Sequence, residues 1–169
     1  DIAAAYDEDI ADLAERGSTY VTLDDVPFPM LCDDTIRGQV ESLGKDPERL
    51  IDQYIELTNA SIASTPSDVT VGLHMCRGNL KGTWLSEGSY QPVAEKLFNK
   101  LNVDAFFLEY DTERAGGFEP LAAMPDDKIA VLGLVSTKVP EMETKDFLKS
   151  RIEEAAQYMD LERLALSPQ

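Results

Sequence analysis

Histidine occurs once in these 169 residues, tryptophan once and cysteine twice. Two cysteines, Cys32 and Cys76, are too few for a disulfide scaffold, so a reduced chain in a cytoplasmic location is the expectation. No apolar run approaches the roughly 18–20 residues that a membrane span needs. No basic segment followed by an apolar stretch marks a secretory signal. The chain begins at Asp1 rather than Met, from which processing or truncation at the N-terminus is expected. Basic residues are scarce as well: 15 Lys and Arg stand against 32 Asp and Glu, a net charge of −17. That field repels nucleic acids and anionic membrane surfaces, and no Lys/Arg stripe offsets it. The partners left in view are small molecules.

What the chain has is a hydrophobic pattern that switches between two periods. Ile2, Tyr6, Ile10 and Leu13 recur at helical spacing over residues 2–16, and Gly17 reads as the stop. Tyr20–Leu23 is a short β-branched run ending at Asp24-Asp25, and the Pro/Phe-rich stretch 26–30 reads as an irregular loop. Asp46-Pro47 reads as an N-cap with proline at the first helical position, ahead of the stripe Leu50, Tyr54, Leu57 and Ile62. Strands are expected at 69–76, 105–108, 129–135 and 164–166, with helices at 92–101 and 144–159 between them.

The strand segments are nearly continuous apolar runs, which points to burial on both faces, as in parallel sheets covered by helices. Alternating strands and helices mean βαβ units, either about five strands of a (β/α)8 TIM-type barrel or a doubly wound sheet. Both place a ligand site at the C-terminal ends of the strands. The residues there are Asp24 and Asp25, His74 and Cys76, Glu109 and Asp111, Ser136 and Lys138.

His74 and Cys76 lie two apart on one strand, so both side chains leave the same face. An imidazole and a thiol so placed are two zinc-type donors, or else a hydrogen-bonded histidine beside a small buried cysteine. Glu109 ends the next strand in sequence, where adjacent parallel strands are about 4.8 Å apart, so its carboxylate is within reach of the same ion. Its other reading is an ion pair with Arg77 or Arg114. Nitrogen, sulfur and oxygen donors together favour zinc over magnesium or calcium. Zinc in turn deprotonates a bound thiol or activates water, and spacing does not choose between them.

The strings LHMCRGN (Leu73–Asn79), FFLEYD (Phe106–Asp111), VLGLVSTKVPEME (Val131–Glu143) and ERLALSPQ (Glu162–Gln169) resemble the C-terminal catalytic barrel of cobalamin-independent methionine synthase. The likeness is greatest to its short single-barrel relatives, which carry H-x-C-R-G-N, and it covers essentially the whole chain. The resemblance implies zinc held by His74, Cys76, Glu109 and a further cysteine, and a metal-bound thiol that accepts a methyl group. It also implies that Asp24, in the place of the Asp of the family's I-D-E-P segment, contacts the amino group of an amino-acid substrate; a loop cap is the alternative. Counting back without gaps from Glu162-Arg163-Leu164 puts Lys138 where the family has a histidine acid, so Lys138 is the catalytic candidate and methyl-folate is in question as the donor. Arg77 and Asn79 are expected to clamp an anionic or carbonyl group of the substrate.

Two departures from the family pattern shape the expectation. The further cysteine would follow Gln169, and alignment to the barrel leaves about three N-terminal strands outside the chain, so residues 1–169 are expected to form one partial barrel domain. Open strand edges invite association, so a partner, self-association or the rest of a longer polypeptide is expected. The activity implied is zinc-dependent transfer of a methyl or other alkyl group to a thiol. The competing readings are an incomplete barrel that works only with its missing part, and a zinc hydrolase.

Overall fold

The computed structural model describes all 169 residues. Five strands, β1 (Tyr20–Asp25), β2 (Thr70–Met75), β3 (Ala105–Glu109), β4 (Ile129–Val135) and β5 (Leu164–Pro168), form one sheet in sequence order. Every pairing is parallel. A doubly wound sheet reverses its strand order at a switch point. This sheet never does, so of the two architectures it is the barrel type, a five-stranded part of one.

Helices α1 (Ile2–Glu15), α4 (Pro47–Ala60), α5 (Gln91–Lys100) and α6 (Lys145–Ala155) start and stop on local chemistry. The Asp46 carboxylate accepts the Glu48 N–H at 2.9 Å and Thr144 Oγ1 accepts the Phe147 N–H at 3.2 Å, two side-chain caps on otherwise unpaired donors. Gly17, at φ 98°, takes the left-handed turn that closes α1, and the Ser18 N–H folds back to the Leu13 carbonyl at 3.0 Å.

One face of the sheet carries the core. Leu73 and Met75 of β2, Phe106 and Leu108 of β3, and Leu132 and Leu134 of β4 are all but fully buried against Val93, Leu97 and Phe98 of α5. The Phe98 and Phe106 rings meet edge-on with centroids 4.9 Å apart. The opposite face is less covered. There the Phe107 ring lies across Gly72, where an added Cβ would come within 2.8 Å of it.

Burial on both faces therefore holds for the central strands but not for the edges. Along β1, Tyr20, Thr22 and Asp24 are exposed while their alternates are half-buried, and in β5 Ala165, Leu166 and Pro168 are exposed. One local expectation also changes, and one helix appears where none was expected. Pro27–Met30 is a turn of helix, α2, because Pro27 at its start has no N–H to leave unpaired and the Asp25 carboxylate takes the Phe28 N–H at 2.9 Å. Asp34–Ser42 is a helix, α3, whose apolar stripe is only the half-buried Ile36 and Val40. Strand β1 ends at Asp24 and Asp25 as expected, held extended there by pairing with His74 and Met75. No helix is long and apolar enough to cross a membrane.

Candidate active site at the strand ends

Because all the strands are parallel, their C-terminal ends, with the polar residues picked out there, lie on one side. Register fixes the neighbours. Asp24 pairs with His74, and Met75 pairs with Leu108, so the next step carries Cys76 alongside Glu109. The His74 Nε2 lies 3.9 Å from Asp24 Oδ1, and that carboxylate is 75% exposed. His74 and Cys76, one period apart, are half-buried on the less covered face, whereas Met75 between them is fully buried against the helices.

The Cys76 Sγ accepts the Gly78 N–H at 3.2 Å. Burial holds its thiol above the ordinary value, and the negative charges of Glu109 and Asp24 push the same way against the Gly78 hydrogen bond. Asp25, beside it on β1, is pushed up to about 6, chiefly by burial and in spite of the Phe28 N–H it accepts.

Glu109 is fully buried and heavily engaged. Its carboxylate pairs with the Arg114 guanidinium, accepts the Arg77 backbone N–H at 3.0 Å, and lies 3.6 Å from Lys138 Nζ and 3.3 Å from Gln169 Nε2. Asp111 shares two of these partners: Arg114 at 3.1 Å and Lys138 at 3.4 Å, with the Ser136 hydroxyl donating at 2.7 Å. The Lys138 side chain is 2% exposed, locked between two carboxylates. The solvated loop lysine is thus excluded, and so is an ammonium standing free over the sheet. The Ser136 N–H donates to the Glu143 carboxylate at 2.8 Å, which folds the loop after β4 back over this cluster.

Arg77 does not reach the open face, where a substrate clamp would need it. Arg77 is three residues on from His74, an odd number, and its side chain goes to the helix side, where it is fully buried with its guanidinium 4.3 Å from the Tyr90 ring centroid. Asn79 joins two loops, its Nδ2 donating to Thr137 Oγ1 at 3.1 Å. Two members of the cluster carry more weight than their sequence signal. Arg114 was in view only as a partner of Glu109, and Asp111 only as a polar strand-end residue; together they anchor the ends of β3 and β4. The Tyr90 hydroxyl ties β2 to β3 from the helix side, donating to the Met75 carbonyl at 3.2 Å and accepting the Glu109 N–H at 2.9 Å.

Zinc suits the donor chemistry only in part. His74 and Cys76 are an aligned nitrogen–sulfur pair on the open face, with Asp24 beside them. The Glu109 carboxylate has the right register but is taken up by Arg114 and Lys138, and no three His, Cys, Asp or Glu side chains are grouped closely enough to hold a metal ion as they stand. A third protein donor requires Glu109 to exchange its cationic partners.

Comparison with known proteins follows the same lines. The family model for the cobalamin-independent synthase catalytic domain matches residues 1–169. The uncharacterized proteins YxjG and YxjH of Bacillus subtilis are 43% and 41% identical over 170 aligned residues, covering all of this chain and 45% of each relative. The chain thus spans less than half the length of these curated relatives. A crystal structure from Listeria monocytogenes, provisionally assigned as a vitamin-B12-independent methionine synthase, superposes with a TM-score of 0.79 at 40% identity, over the whole chain and 46% of that protein. A B12-independent methionine synthase from Shewanella sp. W3-18-1, solved with selenomethionine, superposes at 0.73 over 99% of the chain and 46% of its own, and at 18% identity speaks for the fold alone. A parallel sheet in unbroken strand order, with His74, Cys76 and Glu109 in register at its C-terminal end, belongs to the catalytic-domain family of the cobalamin-independent synthases.

Proposed function

We propose that this chain carries the thiol-binding part of a barrel that transfers a methyl or other alkyl group to a thiol. The observation that supports this most is the register at the ends of β2 and β3, which brings a histidine, a cysteine and a glutamate to one end of one sheet in a family of synthase catalytic domains. In this reading His74 and Cys76 hold zinc, joined by Glu109 once it leaves Arg114. The bound zinc supplies a Lewis acid that keeps a substrate thiol deprotonated at neutral pH. Asp24, exposed on the same face, offers a carboxylate to an ammonium group of the acceptor. Lys138 and Arg114 hold Asp111 in place and do not touch the substrate. A thiol-dependent transfer assay, run across several acceptors with methyl-folate and simpler alkyl donors, tests the proposal. Transfer that disappears in His74→Ala supports it, and no transfer to any thiol from any donor, with the rest of a relative's barrel supplied, overturns it.

The open edges favour a second statement. Strands β1 and β5 each have one unpaired side, and the chain matches less than half of its relatives' length. We propose that activity requires further strands beside these five. The same assay decides it, because residues 1–169 alone would then be inactive and regain activity when the rest of a relative's barrel is supplied.

A further inference from the structure

The most heavily buried cation of the chain has no partner for its N–H groups. Arg77 is 0% exposed, and its Nε, Nη1 and Nη2 make no hydrogen bond to any protein atom. The Tyr90 ring, with its centroid 4.3 Å from the guanidinium carbon, covers the face of the group and leaves the donors in the guanidinium plane untouched. The nearby carboxylates are already committed. Glu109 serves Arg114 and the Arg77 backbone N–H, and Asp33 accepts the N–H groups of Thr35, Ile36 and Glu87.

Two further buried hydroxyls, Ser86 Oγ and Tyr110 Oη, are also without a partner. Both belong to the surroundings of Arg77. The Ser86 N–H donates to the Arg77 carbonyl at 3.2 Å, and the Tyr110 ring packs edge-on against Tyr90 at 5.4 Å. The charge itself points the same way. Arg77 is a fully buried cation with no carboxylate hydrogen-bonded to its guanidinium, whereas Arg114 and Lys138 are paired with Glu109 and Asp111. Cys32 does not supply the missing charge, since burial pushes its thiol up to about 12. Buried charges persist when they are paired, and water would satisfy the donors while leaving the Arg77 charge unpaired.

We infer that Arg77, Ser86 and Tyr110 enclose a structural site for one small monovalent anion of chloride size, on the helix side of the strand ends. The anion pairs the Arg77 charge and fixes the chain between Cys76 and Ser86. This inference is independent of zinc and of the transfer reaction.

The test uses chloride and bromide on the unmodified chain. Crystals grown with bromide as the sole halide should show an anomalous peak beside the Arg77 guanidinium. In solution, exchanging gluconate for chloride at constant ionic strength should raise the melting temperature by several degrees and saturate, as expected for a ligand bound only by the native state. Tyr110→Phe keeps the ring and removes one donor, so it should fold and need at least about tenfold more chloride for the same shift. In Arg77→Met the chloride effect should vanish. Water alone beside Arg77 in the bromide crystals, or a melting temperature indifferent to chloride, overturns the inference, and both readings remain available if Arg77→Met does not fold.

Discussion

Asp25→Asn perturbs the sheet at a point where the sign of the effect is fixed by physics. Burial raises the Asp25 carboxyl from 3.8 to about 6, so the native state holds its proton more tightly than the unfolded chain does. Between about pH 4 and pH 6 the native state therefore binds more protons, and stability falls as the pH rises through that window. A gap of about two pH units at about 1.4 kcal/mol each means a penalty of about 2–3 kcal/mol above pH 6. Asparagine keeps an oxygen to accept the Phe28 N–H and has no charge to desolvate. Urea unfolding of both proteins from pH 4 to pH 8 should give matching stabilities at pH 4. The variant should then pull ahead by about 2–3 kcal/mol at pH 7.5, or about 5–10 °C in melting temperature for a chain of this size. A constant difference between the two curves across the pH range would refute the reasoning, because the penalty would then not come from ionising Asp25.

Other outcomes follow from the same structure. Arg114→Leu leaves Glu109 and Asp111 with only Lys138 for a cation and should cost about 3 kcal/mol in urea unfolding, as expected when one partner of a buried ion pair is removed. Phe106→Ala opens a cavity against Phe98 and should cost about 3–5 kcal/mol by the same measurement. Gly88→Ala combines a φ of 113° with a Cβ driven into the Cys32 carbonyl, so a loss of at least about 2 kcal/mol is expected. In the metal-free chain Cys76 should react with iodoacetamide at pH 8 more slowly than a thiol in a short peptide, since its surroundings disfavour the thiolate.

The fold was readable where one element's pattern carried its whole environment. Strand β4 is found at 129–135 as its unbroken apolar run demands, and the Asp46-Pro47 start of α4 is a cap whose chemistry is entirely local. Helix α3 gave a weak signal, because its stripe is only Ile36 and Val40, both half-buried, in a polar run that includes Gly38. The acidic end of β1 was read as the end of the strand, and pairing with β2 holds it extended. At the site, the period of two placed His74 and Cys76 on one face. Applied one residue further, it sends Arg77 to the other face, and treating Arg77 as the start of a loop hid that. The burial of Lys138 depends on the Ser136–Glu143 contact and on two carboxylates from another strand end, none of which is local in sequence.

The central claim, that the ends of β2 and β3 form a metal-dependent thiol site, is tested most directly by counting zinc. The protein, purified with zinc in the medium and dialysed, is analysed for metal per polypeptide, beside His74→Ala, Cys76→Ser and Glu109→Gln. The account predicts about one zinc per chain, lost in His74→Ala and Cys76→Ser and weakened in Glu109→Gln. Zinc that stays at the same level in all three variants, or no zinc in the unmodified chain even when the rest of the barrel is supplied, would contradict it.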